Sequence, residues 1–248
     1  MRQRKIADFS VSSIGLGCMG LNFGYGPGPD EAYSIRLLNE ALDTGYTFMD
    51  TAALYGFGLN EKLVGKAIGH RRDEYVLASK CGLRGTPDGK REMNGRPDVI
   101  KETCDQSLSR LGVDVIDLYY LHRLDKSVPI EESVGALSDL VKAGKIREIG
   151  LSEMSADIIR RGHAVHPIAA VQTEYSLWTR NPEIAVLETC KDIGAAFVAF
   201  SPVARKFLTG TLQDVSALQE GDMRIKMPRF QPGVYEKNLE LLDEYANL

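Results

Sequence analysis

The stretch GYTFMDTAALYG, residues 45–56, joins a predicted buried strand to a pair of polar side chains. Its apolar residues run directly into Asp50, and Tyr55 follows five positions later. A segment of helical period precedes the strand and ends at Gly45, a residue that tolerates the left-handed cap of a helix. A helix, a buried strand and a polar strand end, in this order, predict one unit of a parallel α/β sheet with crossover helices.

The same alternation of strand-like and helical segments continues along the chain, and it predicts seven strands. Seven units are one short of a closed (β/α)8 barrel. We therefore expect an α/β fold, a TIM-type (β/α)8 barrel with an N-terminal β-hairpin, incomplete at its C-terminus, in a single domain over residues 1–248. The predicted hairpin covers 4–9 and 11–15; the predicted strands cover 13–16, 46–50, 75–80, 115–121, 146–151, 169–172 and 195–200; the predicted helices cover 30–44, 60–68, 97–111, 129–144, 155–163, 182–193 and 234–248.

Composition and charge exclude several classes of function. A chain of 248 residues with 44% hydrophobic content can bury one substantial core. The net charge of -4 and the interspersed acids and bases leave no basic stripe, so a nucleic-acid partner is not expected. The chain has neither a secretory signal nor the roughly eighteen apolar residues of a membrane span, so we expect no membrane partner and a cytoplasmic location.

The cysteines and histidines do not indicate a metal site. The four cysteines are widely spaced and form no CxxC pair, which is typical of isolated reduced thiols. His163 and His166 lie three positions apart, but no carboxylate or cysteine follows at a ligand spacing. We expect these two histidines to end a helix before Pro167, and we predict no metal.

The motif GLGCMG at 15–20 matches the glycine pattern of a dinucleotide-binding turn in a doubly wound sheet. In that fold the glycines must open a helix. Here Gly20 is followed by LNFGYGPGP, through which no helix can continue. We therefore interpret these glycines as a loop that passes close to a ligand.

Polar residues stand at the ends of most of the predicted strands. In a parallel barrel the carboxyl ends of all strands gather on one face, and that face carries the chemistry. These residues should therefore surround one mouth, with Tyr55 in the loop beside Asp50. The strand-end residues are Asp50, Lys80, His122, Ser152, Gln172 and Ser201.

An acid, a phenol, an amine and an imidazole at one mouth form a set that can donate a proton. A tyrosine phenol titrates near 10 and donates well only if positive charge lowers its pKa. Lys80 can supply that charge, and Asp50 can keep Lys80 protonated and in position. His122 can orient a carbonyl by hydrogen bonding. Taken singly, each residue also has a structural explanation, such as a cap, a snorkelling lysine or a buried histidine.

An ordered series of motifs across nearly the whole chain resembles the aldo-keto reductase family. The motifs are GLGCMG at 15–20, DTAALYG at 50–56, ASKCG at 78–82, LGVDVIDLYYLHRLD at 111–125, GKIREIGLSE at 144–153, VQTEYSLWTR at 171–180 and FSPVARKFLTG at 200–210. The resemblance implies hydride transfer from NADPH to an aldehyde or ketone. It also implies a catalytic tetrad of Asp50, Tyr55, Lys80 and His122, with Tyr55 as the general acid.

The same resemblance implies a set of cofactor contacts. Ser152 and Gln172 would hold the nicotinamide carboxamide, and Phe200 would lie against the nicotinamide ring. The remaining expected contacts are Gly17, Cys18 and Met19 near the ribose, Ser201, Pro202, Val203 and Ala204 along the pyrophosphate, and Arg229 at a phosphate.

The sequence departs from the family pattern in two places. Lys206 stands where relatives usually have glycine or another small residue, and Thr211 where they often have a basic one. The predicted seventh helix is not followed by the eighth strand and helix that in the family grip the adenosine, so we expect a truncated barrel with one unpaired strand edge.

Two other functions fit parts of the pattern. A lyase could use Lys80 to form a Schiff base, but this requires a neutral amine, and Asp50 favours the charged one. A barrel that binds the cofactor with little turnover, as a regulatory or inactive subunit, is the other alternative. Substrate choice is expected to depend on the loops at 22–29 and 82–96, and the segments 82–96 and 211–233 are predicted to be the least regular.

Overall fold

The structure is a computed structural model that describes residues 1–86 and 90–246. Its strands are β1 (Gln3–Ile6), β2 (Phe9–Ser12), β3 (Leu16–Gly17), β4 (Phe48–Asp50), β5 (Val76–Cys81), β6 (Leu83–Gly85), β7 (Arg91–Met93), β8 (Ile116–Leu121), β9 (Ile146–Ser152), β10 (Ala170–Glu174) and β11 (Ala196–Phe200). Its α-helices are α1 (Glu31–Asp43), α2 (Leu59–Ile68), α3 (Pro97–Leu111), α4 (Ile130–Lys142), α5 (Ala156–Val165), α6 (Val186–Ile193) and α7 (Tyr235–Ala246).

Seven strands form one parallel sheet in the order β3, β4, β5, β8, β9, β10, β11. The order follows the chain without reversal, whereas a doubly wound sheet has a switch point. The fold is therefore that of a (β/α)8 barrel, represented by seven strands among the described residues, and the prediction of fold class is confirmed. The motif at 15–20 leads from β3 into a short 3-10 turn, Cys18–Leu21, and not into an α-helix.

The N-terminal hairpin is also confirmed. β1 and β2 pair antiparallel, with Ile6 opposite Phe9. The backbone N–H of Ser12 donates to Oγ1 of Thr47 at 2.8 Å, and Thr47 N–H donates back to Ser12 Oγ at 3.0 Å. These two bonds attach the hairpin to the chain just before β4, at the amino-terminal end of the barrel.

Two local predictions were wrong. From its residue type, Asn60 was expected to cap the predicted helix at 60–68. It does not cap α2, which begins at Leu59 after Gly58 in the left-handed conformation. Instead, the buried amide of Asn60 donates to the Cys18 carbonyl at 2.8 Å and to Asn22 Oδ1 at 2.6 Å, holding the 15–20 loop in place. The segment 82–96 contains the antiparallel hairpin β6–β7, because its ends pair locally across residues 86–90, of which 87–89 lie outside the described residues.

The main core lies between the sheet and the surrounding helices. Leu77, Tyr119 and Leu151 of the strands pack with helical residues such as Val64 and Leu137, and all five are fully buried. Each of the aliphatic side chains contributes about 1.5–3 kcal/mol by leaving water. The helices follow the predicted periodicity because their apolar residues recur on the face that meets the sheet.

A smaller core folds the segment that follows β11. Ala204, Phe207, Phe230 and Tyr235 are buried together, and Trp178 packs on Phe207 with ring centroids 3.8 Å apart. This cluster joins the segment after β11 to α7 and to the loop after β10. Within the described ranges, no helix combines the length and the apolar character needed to cross a membrane.

Candidate active site

The four predicted catalytic residues come together at the carboxyl ends of the strands. Asp50 ends β4, Lys80 lies near the end of β5, and His122 directly follows β8. Tyr55 begins a 3-10 turn, Tyr55–Gly58, after β4. The parallel register places Asp50 beside Ala78 and Lys80 beside Tyr120, so the strands reach the mouth at similar heights.

Lys80 is the centre of the site. Its Nζ atom donates hydrogen bonds to Oδ1 of Asp50, to the Thr51 carbonyl at 2.9 Å and to the phenolic oxygen of Tyr55 at 3.3 Å. Its side chain is fully buried, while Asp50 retains 14% exposure. The ammonium uses its three protons on three oxygens, so the amine cannot turn away from Tyr55 without losing a bond.

Burial and the nearby charges shift the pKa values of Tyr55 and Lys80 in opposite directions. Burial raises the pKa of Tyr55, and Lys80 lowers it by less, so the net pKa is above the ordinary value of 10.0. The expectation that Lys80 lowers this pKa is right for its own contribution and wrong for the net shift. Burial lowers the pKa of Lys80, but its interactions with Asp50 and Tyr55 outweigh that effect and the net pKa is raised. At neutral pH the site therefore holds a protonated phenol beside a charged amine.

His122 is a neutral imidazole beside Tyr55. The two rings meet edge to face with centroids 5.8 Å apart. Burial, together with the positive charges of Lys80 and Arg123, lowers the pKa of His122 well below its ordinary value of 6.5. Its Nδ1 has no hydrogen-bond partner among the described atoms. A neutral ring can direct one N–H into the mouth without adding charge.

The first group of predicted cofactor residues lies next to this site. Gly17 pairs with Asp50 in the β3–β4 register, and Cys18 and Met19 follow in the 3-10 turn. A Cβ atom at Gly17 would meet nothing within 4 Å, so packing inside the protein does not require glycine there. The open space above this backbone suits the close approach of a ligand.

Ser152 and Gln172 also lie at the mouth, but both have partners in the protein. Ser152 ends β9, and its Oγ accepts a hydrogen bond of 3.2 Å from Arg123. Gln172 lies inside β10, which continues to Glu174, and its Nε2 donates to Asp50 Oδ2 at 2.8 Å.

The segment after β11 has an unusual backbone. Ser201, Ala204, Arg205 and Lys206 have positive φ angles of 52°, 49°, 57° and 80°. Left-handed residues in turns present backbone amides in concave sites that hold anions. Half-buried Phe200 precedes the segment, while Pro202 and Val203 are exposed.

Arg229 lies in a charge cluster that the sequence did not reveal. Buried Glu174 accepts bonds from Arg205 at 2.8 Å and from Arg229 at 2.7 Å. Arg229 also donates to Thr179 Oγ1 at 3.0 Å. Burial acts to raise the pKa of Glu174, but the two arginines outweigh it and the net pKa is lowered. The alternation of side chains along a strand could have indicated Glu174, because it lies two positions after Gln172 and therefore on the same face of β10.

Other features of the described residues lie away from this mouth. A cavity of about 550 Å³ lies at the opposite, amino-terminal end of the barrel, where Asp117 pairs with Arg72 and Arg147. No group of three or more potential metal ligands occurs among the described residues. The Nδ1 of His163 accepts the Ile168 N–H at 3.1 Å, in keeping with a structural role at the end of α5.

Comparisons with known proteins identify related chains. Residues 13–248 match the model of the aldo/keto reductase family. The NADP(+) aldo-keto reductase yakc of Schizosaccharomyces pombe is 46% identical over 251 residues, which cover 99% of this chain and 74% of the relative. A glycerol dehydrogenase from Gluconobacter oxydans superposes with a TM-score of 0.88 at 31% identity, over 99% of this chain and 77% of that one. An aldo/keto reductase from Klebsiella pneumoniae, in complex with NADP and acetate, superposes with a TM-score of 0.67 at 30% identity, over 88% and 72%.

Proposed function

The chain belongs to the aldo/keto reductase family, and we propose that it reduces an aldehyde or a ketone to the alcohol, with NADPH as the hydride donor. One observation carries this proposal: the Lys80 amine, bonded to Asp50, lies 3.3 Å from the phenolic oxygen of Tyr55. A positive charge at that place stabilises the phenolate, so Tyr55 can release its proton during the reaction.

Each member of the tetrad has a distinct role in the proposed reaction. When bound, NADPH supplies a hydride to the carbonyl carbon. Tyr55 donates its phenolic proton to the carbonyl oxygen, which becomes the hydroxyl of the product. Lys80 stabilises the phenolate that remains, and Asp50 keeps Lys80 charged. Neutral His122 donates a hydrogen bond that orients the carbonyl oxygen and stabilises the negative charge that develops on it.

The residues present fit the cofactor. The left-handed residues in the backbone after β11 suit a pyrophosphate, and the open space at Gly17 suits a ribose. NADP is also the cofactor named for the Schizosaccharomyces pombe relative and for the Klebsiella pneumoniae structure. The residues proposed to hold the cofactor are Gly17, Cys18, Met19, Asp50, Ser152, Gln172, Phe200, Ser201, Pro202, Val203, Ala204 and Arg229.

The raised pKa of Lys80 argues against a Schiff-base lyase. Such an enzyme needs a neutral lysine, whereas Asp50 and Tyr55 together outweigh the effect of burial and keep Lys80 charged. A barrel that only binds the cofactor differs from the proposed enzyme in turnover, which the following experiment measures directly.

The test compares the wild-type protein with Tyr55→Phe, using NADPH and a simple aromatic aldehyde. We expect the wild type to consume NADPH and the variant to lose about 100-fold or more in kcat, as on removal of a general acid. NADPH binding, followed by the fluorescence of the single tryptophan, Trp178, should persist in the variant. Tyr33→Phe is the matched control, because Tyr33 is 46% exposed on α1. Full activity in Tyr55→Phe, or NADPH binding without turnover by the wild type, would contradict the proposal.

A further inference from the structure

Arg123 lies at the mouth of the site and has no role in the reaction described above. It directly follows His122 at the carboxyl end of β8. Its Nη1 donates to the His122 carbonyl at 2.5 Å and to Ser152 Oγ at 3.2 Å. These two contacts hold the guanidinium between the ends of β8 and β9, next to the reacting groups.

No carboxylate pairs directly with Arg123, although Glu153 and Glu174 act to raise its pKa from a greater distance. Lys80 is paired with Asp50, and Arg205 and Arg229 are both paired with Glu174. Arg123 has no carboxylate oxygen within 4.0 Å among the side chains that the structure describes. The residue is half-buried, and burial of a charge without a counter-ion is costly. A ligand that brings a negative charge would remove that cost.

The geometry of the unused N–H donors of Arg123 limits the kinds of anion that can bind there. Both contacts of Arg123 use Nη1, so in the described structure the Nε–H and Nη2–H edge of the guanidinium donates to no protein atom. These two donors point in parallel from one planar edge, which matches the two oxygens of a carboxylate. An ammonium could not make the same paired contact.

Arg123 also lies close to the proposed proton donor. Its positive charge acts to lower the pKa of Tyr55, and the phenol acts to raise the pKa of Arg123. The wall beside Tyr55 is apolar. Phe23 stacks on Tyr55 with ring centroids 6.0 Å apart, and Met19 and Leu83 pack against the same cluster. An occupant of this mouth therefore meets an apolar wall, a proton donor and a cation.

We propose that Arg123 is a specificity-determining residue that binds a carboxylate on the carbonyl substrate. The preferred substrates are then oxo-acids, in which an apolar body carries both the reacting aldehyde or ketone and a carboxylate. This inference rests on the proposed reductase function and assigns its substrate class.

The experiment compares acid and ester pairs of one aldehyde. The substrates are 3- and 4-carboxybenzaldehyde and their methyl esters, and the readout is the ratio of kcat/KM for the acid to that for the ester. We expect Arg123→Met to lower this ratio by about tenfold or more, because a charge-assisted paired contact is lost. The ratio for Arg123→Lys should lie between those of the wild type and of Arg123→Met, since lysine keeps the charge but lacks the paired donors. The control Arg36→Met removes one positive charge from exposed Arg36 on α1 and should leave the ratio as in the wild type.

The outcomes separate the inference from the proposed function. An equal loss with acids and esters in Arg123→Met indicates that Arg123 only supports Ser152 and His122, and it overturns the inference alone. If Arg123→Met reduces both acids and esters as fast as the wild type does, the ratio is also unchanged, and the inference alone is overturned. Failure of the wild type to reduce any of the four compounds with NADPH overturns the proposed function together with the inference. If Arg123→Met does not fold, the Arg123→Lys ratio decides: a value equal to the wild type overturns the paired contact.

Discussion

The side-chain amide of Gln172 donates a hydrogen bond of 2.8 Å to Oδ2 of Asp50, across a separation of 122 residues. Lys80 holds the other oxygen of the same carboxylate. Asp50 is thus fixed from two strands, and the position of the Lys80 amine beside Tyr55 depends on both bonds. Gln172 therefore acts on the tetrad in addition to its proposed contact with the cofactor.

Gln172→Glu should destabilise the protein in a pH-dependent way. The charge of Asp50 raises the pKa of the introduced carboxyl group above its unfolded value, so stability is lost as pH rises through that raised pKa. We expect a loss of about 1–3 kcal/mol at pH 8 and a smaller loss at pH 5. Urea unfolding at the two pH values measures this. Gln172→Met, which removes the donor without adding charge, should show no such difference between them.

His122 should make the folded protein sensitive to acid. Its folded pKa is lowered well below 6.5, so below pH 6.5 the unfolded chain takes up a proton that the folded chain does not. Stability should therefore fall with decreasing pH, by about 1.4 kcal/mol per pH unit from this group. His122→Asn should flatten that part of the stability profile between pH 7.5 and 5.5, whereas His70→Asn, at an exposed position, should not. Parallel profiles for wild type and His122→Asn would contradict the lowered pKa.

Glu174→Gln should lower the free energy of unfolding much more than the same substitution in a surface ion pair. Glu174 is 10% exposed and pairs with Arg205 and Arg229, which would both lose their counter-ion. We expect a decrease of roughly 3 kcal/mol in the free energy of unfolding. Glu183→Gln is the control, because Glu183 pairs with Arg180 at the surface, where ion pairs contribute little. Similar effects of the two substitutions would mean that the Glu174 cluster is not a stabilising element.

Lys206→Gly should stabilise the protein. Lys206 has a φ angle of 80°, a conformation that costs a residue with a Cβ atom about 1–2 kcal/mol. Glycine removes that cost and adds some entropy to the unfolded chain, so we expect a net gain of about 0.5–1 kcal/mol in unfolding free energy. Lys206→Ala keeps the Cβ atom and should give no such gain. A gain of equal size in Lys206→Ala would assign the effect to the lysine side chain and not to the backbone.

Gly150→Ala should destabilise the barrel, while Gly135→Ala should not. A Cβ atom at Gly150 would lie 2.3 Å from the ring of Tyr120 on the neighbouring strand, and that ring is fully buried. We expect a loss of about 1–3 kcal/mol or more from overpacking. At Gly135 in α4 a Cβ atom meets nothing within 4 Å, and alanine favours the helix by up to about 1 kcal/mol. Thermal unfolding of the two variants should therefore shift in opposite directions.

The predicted helices at 30–44, 97–111 and 155–163 begin within one residue of α1, α3 and α5, and short-range contacts explain why. Pro97 begins α3, Asp30 caps α1 by accepting the Tyr33 N–H, and Ser155 caps α5. Each depends on contacts within about one helical turn, which the local sequence specifies. Asn60 shows the limit of such patterns. Its residue type and position suit a cap, but its amide is used instead on Cys18 and Asn22, far away in the chain.

Local patterns predicted the order of the barrel strands and helices and most of the polar residues at the strand ends, because side-chain periodicity and backbone preference are local properties. From these, Asp50, Lys80 and His122 could be expected at one mouth, with Tyr55 beside them. Which of these groups touch depends on the three-dimensional fold. Sheet register and burial set the bond between Gln172 and Asp50, the pairing of Glu174 with two arginines, and the net pKa of Tyr55. Such contacts and shifts join residues that lie far apart in the chain, so they depend on distances that no local pattern records.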